Sequence, residues 1–279
     1  MNGESLWSRL AGLALVVEGC EYDRLQAMFA YEFERITTQV RLVGAGTDGL
    51  GEDVSDFRED GTTLHETRPS LPLEGEWTLA SFCDHLAALE LWPEPPAWDG
   101  ARRVEEVAAT GAVDTIDFKG QYGFEVKDPE ALAALYDHVL AAFPDAYLED
   151  PHDLPEIEQR LGDHLERVSY DAPIRDAEDI GATPLAARIV NVKPSRIGSL
   201  RRLFDVYARC ARERRPMYGG GMGELGVGRG QIELLAALFH ADAPNDVAPS
   251  ACNEDDPPGG LPASPLAPRP EATGFRWAA

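Results

Sequence analysis

The sequence predicts an α/β protein in two parts, an α+β unit over residues 1–96 and a parallel β/α array over 97–250. A proline- and glycine-rich tail follows over 251–279. Three observations carry this. Residues 10–22 and 33–43 read as strands, the second with clear alternation in FERITTQVRL, and a helical pattern follows at 78–91. The segment WPEPPAWDG (92–100) has the composition of a linker. Beyond it, one event recurs: a short apolar strand that ends on a charged residue, at Asp117, Glu149, Asp171 and Lys193.

In the first part, the glycine-rich GAGTDGLGEDV (44–54) reads as turn chemistry. Thr78 is the expected N-cap of TLASFCDHLAALEL, with Leu79, Phe82, Leu86 and Leu89 on one face. In the second, ARRVEEVAATG (101–111) reads as the helix before the Asp117 strand. The spacings 117 to 149, 149 to 171 and 171 to 193 are 32, 22 and 22 residues, about one strand plus one crossover helix. Strands are expected at 113–119, 146–149, 167–171, 187–193, 215–218 and 245–248. Helices are expected at 129–143, with proline in its first turn, at 195–215 capped by Ser195, and at 228–240. Phe275 and Trp277 in the tail point to its packing back on the first part.

The 25 basic and 49 acidic residues give a net charge of −24, which argues against nucleic acid and anionic membranes as partners. An anionic small substrate stays compatible, because local cations can reverse the field inside a site. Cys20, Cys83, Cys210 and Cys252 are scattered and read as free thiols of a reducing compartment. The apolar run at 10–17 is too short for a membrane span and lacks the marks of a signal peptide. The expectation is a soluble, cytoplasmic protein.

Residues at the carboxyl ends of parallel barrel strands converge on one rim. Asp117, Glu149 and Asp171 are therefore expected to form a metal site, and oxygen-only ligation suits Mg²⁺ or Mn²⁺. A lysine beside that cation has its neutral form favoured, so Lys193 is the candidate proton-abstracting base. Lys119 has two readings: a second catalytic lysine, facing the same side of its strand as Asp117, or only an ion-pair partner of nearby carboxylates. The histidines show no zinc spacing, and His152 reads as structural. Gly221, Gly223 and Gly226 match G-x-G-x-x-G with Asp246 twenty residues on, a dinucleotide-binding pattern. Further glycines before the helix weigh against it. The alternative is that these glycines bring backbone amides close to a substrate carboxylate or the strand-end lysine. Glu224 reads as an exposed loop glutamate, and Gln231 and Asp246 as weaker rim candidates.

The segments IDFKGQY (116–122), LEDP (148–151), YDAP (170–173), NVKPSRIGSL (191–200), MYGGGMGELGVGRGQ (217–231) and APNDVAP (243–249) together resemble the enolase superfamily. The closest likeness is to its muconate-lactonizing and o-succinylbenzoate-synthase-like branch, related to mandelate racemase. The resemblance implies an enolase-type α+β capping domain over 1–96 and a modified (β/α) barrel. It implies a Mg²⁺-dependent lyase or isomerase (dehydratase, cycloisomerase or racemase/epimerase) that removes the α-proton of a small carboxylate through an enediolate. It also likens GEDV (51–54) to a capping-domain turn.

One departure stands out. Residues 97–250 number 154, against roughly 250 for a complete barrel, and only about six barrel strands can be counted. No segment matches the strand that carries the family's second catalytic lysine. A shortened barrel has open edges that another subunit, a homo-oligomer among the options, would have to cover. The alternative reading is a catalytically silent member that binds metal or ligand on an incomplete barrel.

Overall fold

The computed structural model describes residues 6–29, 33–44, 46–54, 70–89, 113–123, 126–186, 188–247, 265–270 and 275. The expected linker at 92–100, the helix at 101–111, Cys252 and Trp277 lie outside them. Two compact units emerge: residues 1–96, 193–208 and 219–279 form one, and 97–192 with 209–218 the other.

The first unit starts with α1 (Leu6–Leu10) and β1 (Ala14–Val17). The strand expected over 10–22 is therefore divided, and its second part continues as β2 (Gly19–Phe29). β2 pairs antiparallel with β3 (Phe33–Val43), Gly19 opposite Val43. The glycine-rich stretch after β3, expected to be turn alone, contains β4 (Gly49–Asp53), in register with β3 through Gln39↔Glu52. β1 pairs instead with β5 (Gly75–Thr78). Thr78 caps α2 (Leu79–Ala88) as expected, and Ser81 returns the bond in a capping box. Phe82 buries that helix against Val17 and Leu73, with Leu86 and Leu89 at the margin.

In the second unit the strand-end pattern folds as a parallel sheet in the order β10-β9-β8-β7-β6. Its strands are β6 (Thr115–Asp117), β7 (Tyr147–Glu149), β8 (Val168–Tyr170), β9 (Ile189–Val192) and β10 (Met217–Gly219). α3 (Pro129–Ala142), capped by Asp128, and α4 (Pro155–Leu161) cover it. Tyr136, Val139, Leu148, Ile157, Leu161, Val168 and Tyr170 are sealed from solvent. Each strand has only three or four residues, and β6 and β7 are apolar in the middle and end on a carboxylate. The segment expected as a sixth strand makes a single parallel bridge, Gly220↔Asp246.

The helix expected over 195–215 is broken. α5 (Pro194–Ile197) ends at Gly198, whose φ of +70° is left-handed, and α6 (Leu200–Glu213) starts afresh. Ser195 is therefore inside a one-turn helix and not a cap. α7 (Val227–Phe239) matches the third expected helix, and Leu266 of the tail packs against its Ile232 and Ala236. Phe275 is half exposed. Cys20, Cys83 and Cys210 are thiols, and no described helix is long and apolar enough to cross a membrane.

Candidate active site

β6, β7 and β8 run in register, with Asp117 opposite Glu149 and Glu149 opposite Ser169. Neighbouring strands lie about 4.8 Å apart, so polar side chains at matched positions are pressed together. Carboxylate oxygens of Asp117, Glu149 and Asp150 all fall within 4.8 Å of one another. Glu149 and Asp150 are buried, and the Asp117 side chain is 22% exposed. Asp171, one residue beyond β8, is fully buried, and the Tyr122 hydroxyl donates to its Oδ2 at 3.4 Å.

Asp150 differs from its neighbours. Its φ of +46° is left-handed, which turns the side chain away from the position strand alternation would give. Oδ1 accepts the Asp171 amide at 2.8 Å and Oδ2 the Ala172 amide at 2.9 Å. Asp150 thus fixes the backbone that carries Asp171. Its own backbone joins the lattice: the Asp150 amide donates to Ser169 O and its carbonyl accepts the Gly120 amide. Gly120 has to be glycine, because a Cβ there would lie 2.3 Å from the His152 nitrogen. Burial, followed by the nearby Asp171 carboxylate, pushes the Asp150 carboxyl up to about 7.

Glu149 is held from the other side. Asn191 Nδ2 donates to its Oε2 at 3.1 Å, and the Tyr218 hydroxyl donates to the same oxygen. Ser169 Oγ lies 2.9 Å from the Tyr218 oxygen. Burial, then the Glu149 charge, hold the Tyr218 hydroxyl well above its usual range, so it remains a donor. Strand pattern missed Asn191, Ser169 and Tyr218, although Ser169 and Asn191 stand two residues before Asp171 and Lys193, on alternate positions of β8 and β9.

Lys119 Nζ forms an ion pair with Asp117 Oδ2, and its amide donates to Oδ1 at 2.9 Å. The two meet through a turn and not through strand alternation, because β6 ends at Asp117 and Lys119 has a φ of +56°. Lys193 directly follows β9 and is buried; its carbonyl accepts the amides of Arg196 and Ile197 at the start of α5. His152 is structural: its amide donates to the Tyr136 hydroxyl, which also meets its Nδ1, and burial lowers its pKa.

The glycine-rich segment corrects the expectation. Its amides bind a carboxylate of the protein itself. Glu52 accepts from Leu225 N at 2.6 Å, Gly226 N at 2.9 Å and Gly228 N at 3.0 Å. A Cβ at Gly226 would stand 2.6 Å from Leu25 Cδ1 and 3.3 Å from Glu52 Oε2, so a larger residue there would have to displace the Leu25 side chain. Glu224 is 1% exposed, not a solvent-facing loop residue. Gln231 donates to Leu50 O, and the Asp246 amide to Gly219 O.

The chain matches a family described as a domain of unknown function, DUF8230, with its C-terminal domain over residues 79–254 and its N-terminal domain over 8–114. It is 30% identical over 133 residues to o-succinylbenzoate synthase of Bacillus subtilis (strain 168), covering 46% of this chain and 34% of that protein. The matched part is thus about a third of that relative's length. Among solved structures it resembles muconate cycloisomerase from Pseudomonas fluorescens, with a TM-score of 0.58, 16% identity, and 84% and 86% of the two chains covered. It also resembles a dipeptide epimerase from Methylococcus capsulatus complexed with Mg and the dipeptide L-Arg-D-Lys. There the TM-score is 0.56 at 15% identity, over 85% and 94% of the chains. The chain belongs to the DUF8230 family, and it shares its fold with mandelate racemase/muconate-lactonizing proteins of the enolase superfamily.

Proposed function

We propose that this protein is a lyase or isomerase that removes the α-proton of a small carboxylate substrate. Asp117, Glu149 and Asp171 hold a Mg²⁺ or Mn²⁺ ion, and Lys193 acts as the base. The observation that carries the reading is the convergence of the Asp117, Glu149 and Asp150 carboxylates at parallel strand ends, with buried Asp171 tied to Asp150 through its amide. That donor set fits a hard divalent cation. Such a cation supplies positive charge beside the substrate carboxylate, which lowers the cost of the enediolate. Asp150 takes the outer role, because both its oxygens already accept backbone amides. Tyr218 and Asn191 orient Glu149. Lys193 takes the α-proton at Nζ, and Lys119 either returns one to the opposite face or only balances Asp117. The barrel is read as six-stranded, β6 to β10 plus the segment around Asp246, and residues 1–96 as a capping domain.

A second reading, a silent member that binds metal or ligand without turnover, is favoured by the brevity of the parallel sheet. Exchange of α-protons for deuterium, followed by NMR over a panel of small carboxylates with and without Mg²⁺, separates the two. Exchange that requires both Mg²⁺ and Lys193, with Lys193→Ala inactive, is the expected result. A folded protein that binds no Mg²⁺ overturns the carboxylate assignment.

A further inference from the structure

Arg35 and Glu52 stand on adjacent strands of the three-stranded sheet, and together they grip the loop between β10 and α7. The division of labour follows charge. The Arg35 guanidinium, 1% exposed, donates to the carbonyls of Met222 and Gly223 at 2.9 and 3.2 Å, and to Val54 O at 2.5 Å. Glu52 takes the amides of Leu225, Gly226 and Gly228, and the Thr37 hydroxyl donates to it at 2.7 Å. Between these two grips lies Glu224. Its carboxylate accepts the Met222 amide at 2.9 Å and the Ser195 hydroxyl at 2.7 Å. Ser195 belongs to the one-turn helix whose first amides close on the Lys193 carbonyl. The Arg196 guanidinium of the same turn reaches Met222 Sδ at 3.4 Å.

We propose that Glu52 is a positioning residue for Lys193, acting through the 222–228 loop, Glu224 and Ser195. This rests on Lys193 being the base. The links are hydrogen bonds joined by short stretches of backbone within the first compact unit, and the loop has little freedom: a Cβ at Gly228 would meet both Glu224 Cγ and Glu52 Cβ at 3.0 Å. Charge-assisted bonds from a carboxylate to several amides are short and directional. They are suited to hold a catalytic turn within the narrow tolerance that proton transfer demands. Replacing Glu52 by glutamine sets an amide NH₂ against the loop's N–H groups. The loop then gives up part of its grip on Glu224, and Ser195 loses its fixed acceptor.

The test uses the full chain. Lys119, Lys127 and Lys193 are its only lysines, so protein labelled with ε-¹³C-lysine gives one Cε resonance for each, and Lys193→Arg assigns the third. In Glu52→Gln the Lys193 resonance and its titration midpoint are expected to move, while those of Lys119 and Lys127 stay and Mg²⁺ affinity is unchanged by calorimetry. Where a substrate is in hand, kcat falls about 10- to 100-fold with a smaller change in KM. A folded Glu52→Gln protein with an unmoved Lys193 resonance overturns the proposal. Should Glu52→Gln fail to fold, Ser195→Ala removes only the last link, and an unmoved Lys193 resonance there overturns it equally. Failure of the metal reading shows up separately, as wild-type protein that binds no Mg²⁺ while Lys193 still responds to Glu52→Gln.

Discussion

Glu149 and Glu52 each end up among backbone and side-chain donors, yet their surroundings are built in opposite ways. Around Glu52, three amides and a hydroxyl meet one carboxylate, so a single negative charge is surrounded by donors. Around Glu149 the nearest neighbours include more carboxylates, Asp117 and Asp150, pressed together by strand register. Tyr218 and Asn191 donate to Glu149, two amides donate to Asp150, and the Lys119 ammonium pairs with Asp117; that ammonium is a formal charge, whereas the other donors are neutral. The comparison teaches how to tell a structural carboxylate from one that calls for a cation: count the donors against the charges, not the carboxylates alone. A charge buried without full compensation costs several kcal/mol, so a bound cation or proton would stabilise the acidic rim.

The largest effect separating the two regions is expected from the rim. Glu149→Ala or Asp171→Asn should weaken Mg²⁺ binding by more than about 100-fold, the upper end of what outer partners cost, as measured by calorimetry. Glu52→Gln should leave that affinity unchanged. A smaller effect belongs to Asp150→Asn, which sets an NH₂ against the amides of Asp171 or Ala172. It should lose about 10- to 100-fold in Mg²⁺ affinity, the range for groups that orient a ligand. If Asp150→Asn exceeds Asp171→Asn, the two residues exchange roles.

Lys119→Met sharpens the comparison from the other side. It removes the ammonium from a partly exposed Asp117, where such a pair is worth at most about 1 kcal/mol. Mg²⁺ affinity should rise by up to about fivefold if Lys119 only balances charge. Loss of α-proton exchange in the same variant would make it the second catalytic lysine.

The smallest effect concerns a carboxylate with almost no donors. Glu233 of α7 is 8% exposed, and its Oε1 has no hydrogen-bond partner among the described residues. Burial raises its pKa to about 7, with Arg229 opposing. Since the folded value lies above the ordinary one of 4.5, the stability Glu233 contributes when protonated is complete below about pH 4.5 and lost as pH rises through 7. Glu233→Gln should therefore melt higher than wild type at pH 8, by a few degrees for about 1 kcal/mol, and the gap should close at pH 5. Equal melting curves at both values would show Arg229 fully compensating.

The strand-end positions were legible because register in a parallel sheet follows from strand spacing alone. Asp117, Glu149 and Ser169 face one another for that reason. Asp150 was not legible, since a left-handed backbone at a non-glycine residue breaks the alternation a reader relies on. β4 was hidden by Gly49 and Gly51, which look like turn residues but sit opposite Leu42 and Val40 in the sheet. Gly198 did break its helix, yet a lone glycine among good helix formers does not announce a left-handed stop. Glu224 was the furthest from reach. Its burial depends on Ser195, 29 residues earlier, and on a loop held by Glu52, more than 170 residues earlier in the chain.

That last separation bears on how the chain is made. Glu52 lies 173 residues before Leu225, and ribosomes add about 5–20 residues per second. The sheet bearing Arg35 and Glu52 therefore waits roughly 10 to 35 s during synthesis before its loop emerges. Until then Arg35 can reach Val54 O and Glu52 the Thr37 hydroxyl, but their bonds to the 222–228 loop stay unmade. The grip therefore closes only once residue 228 has emerged, long after the paired strands that carry it.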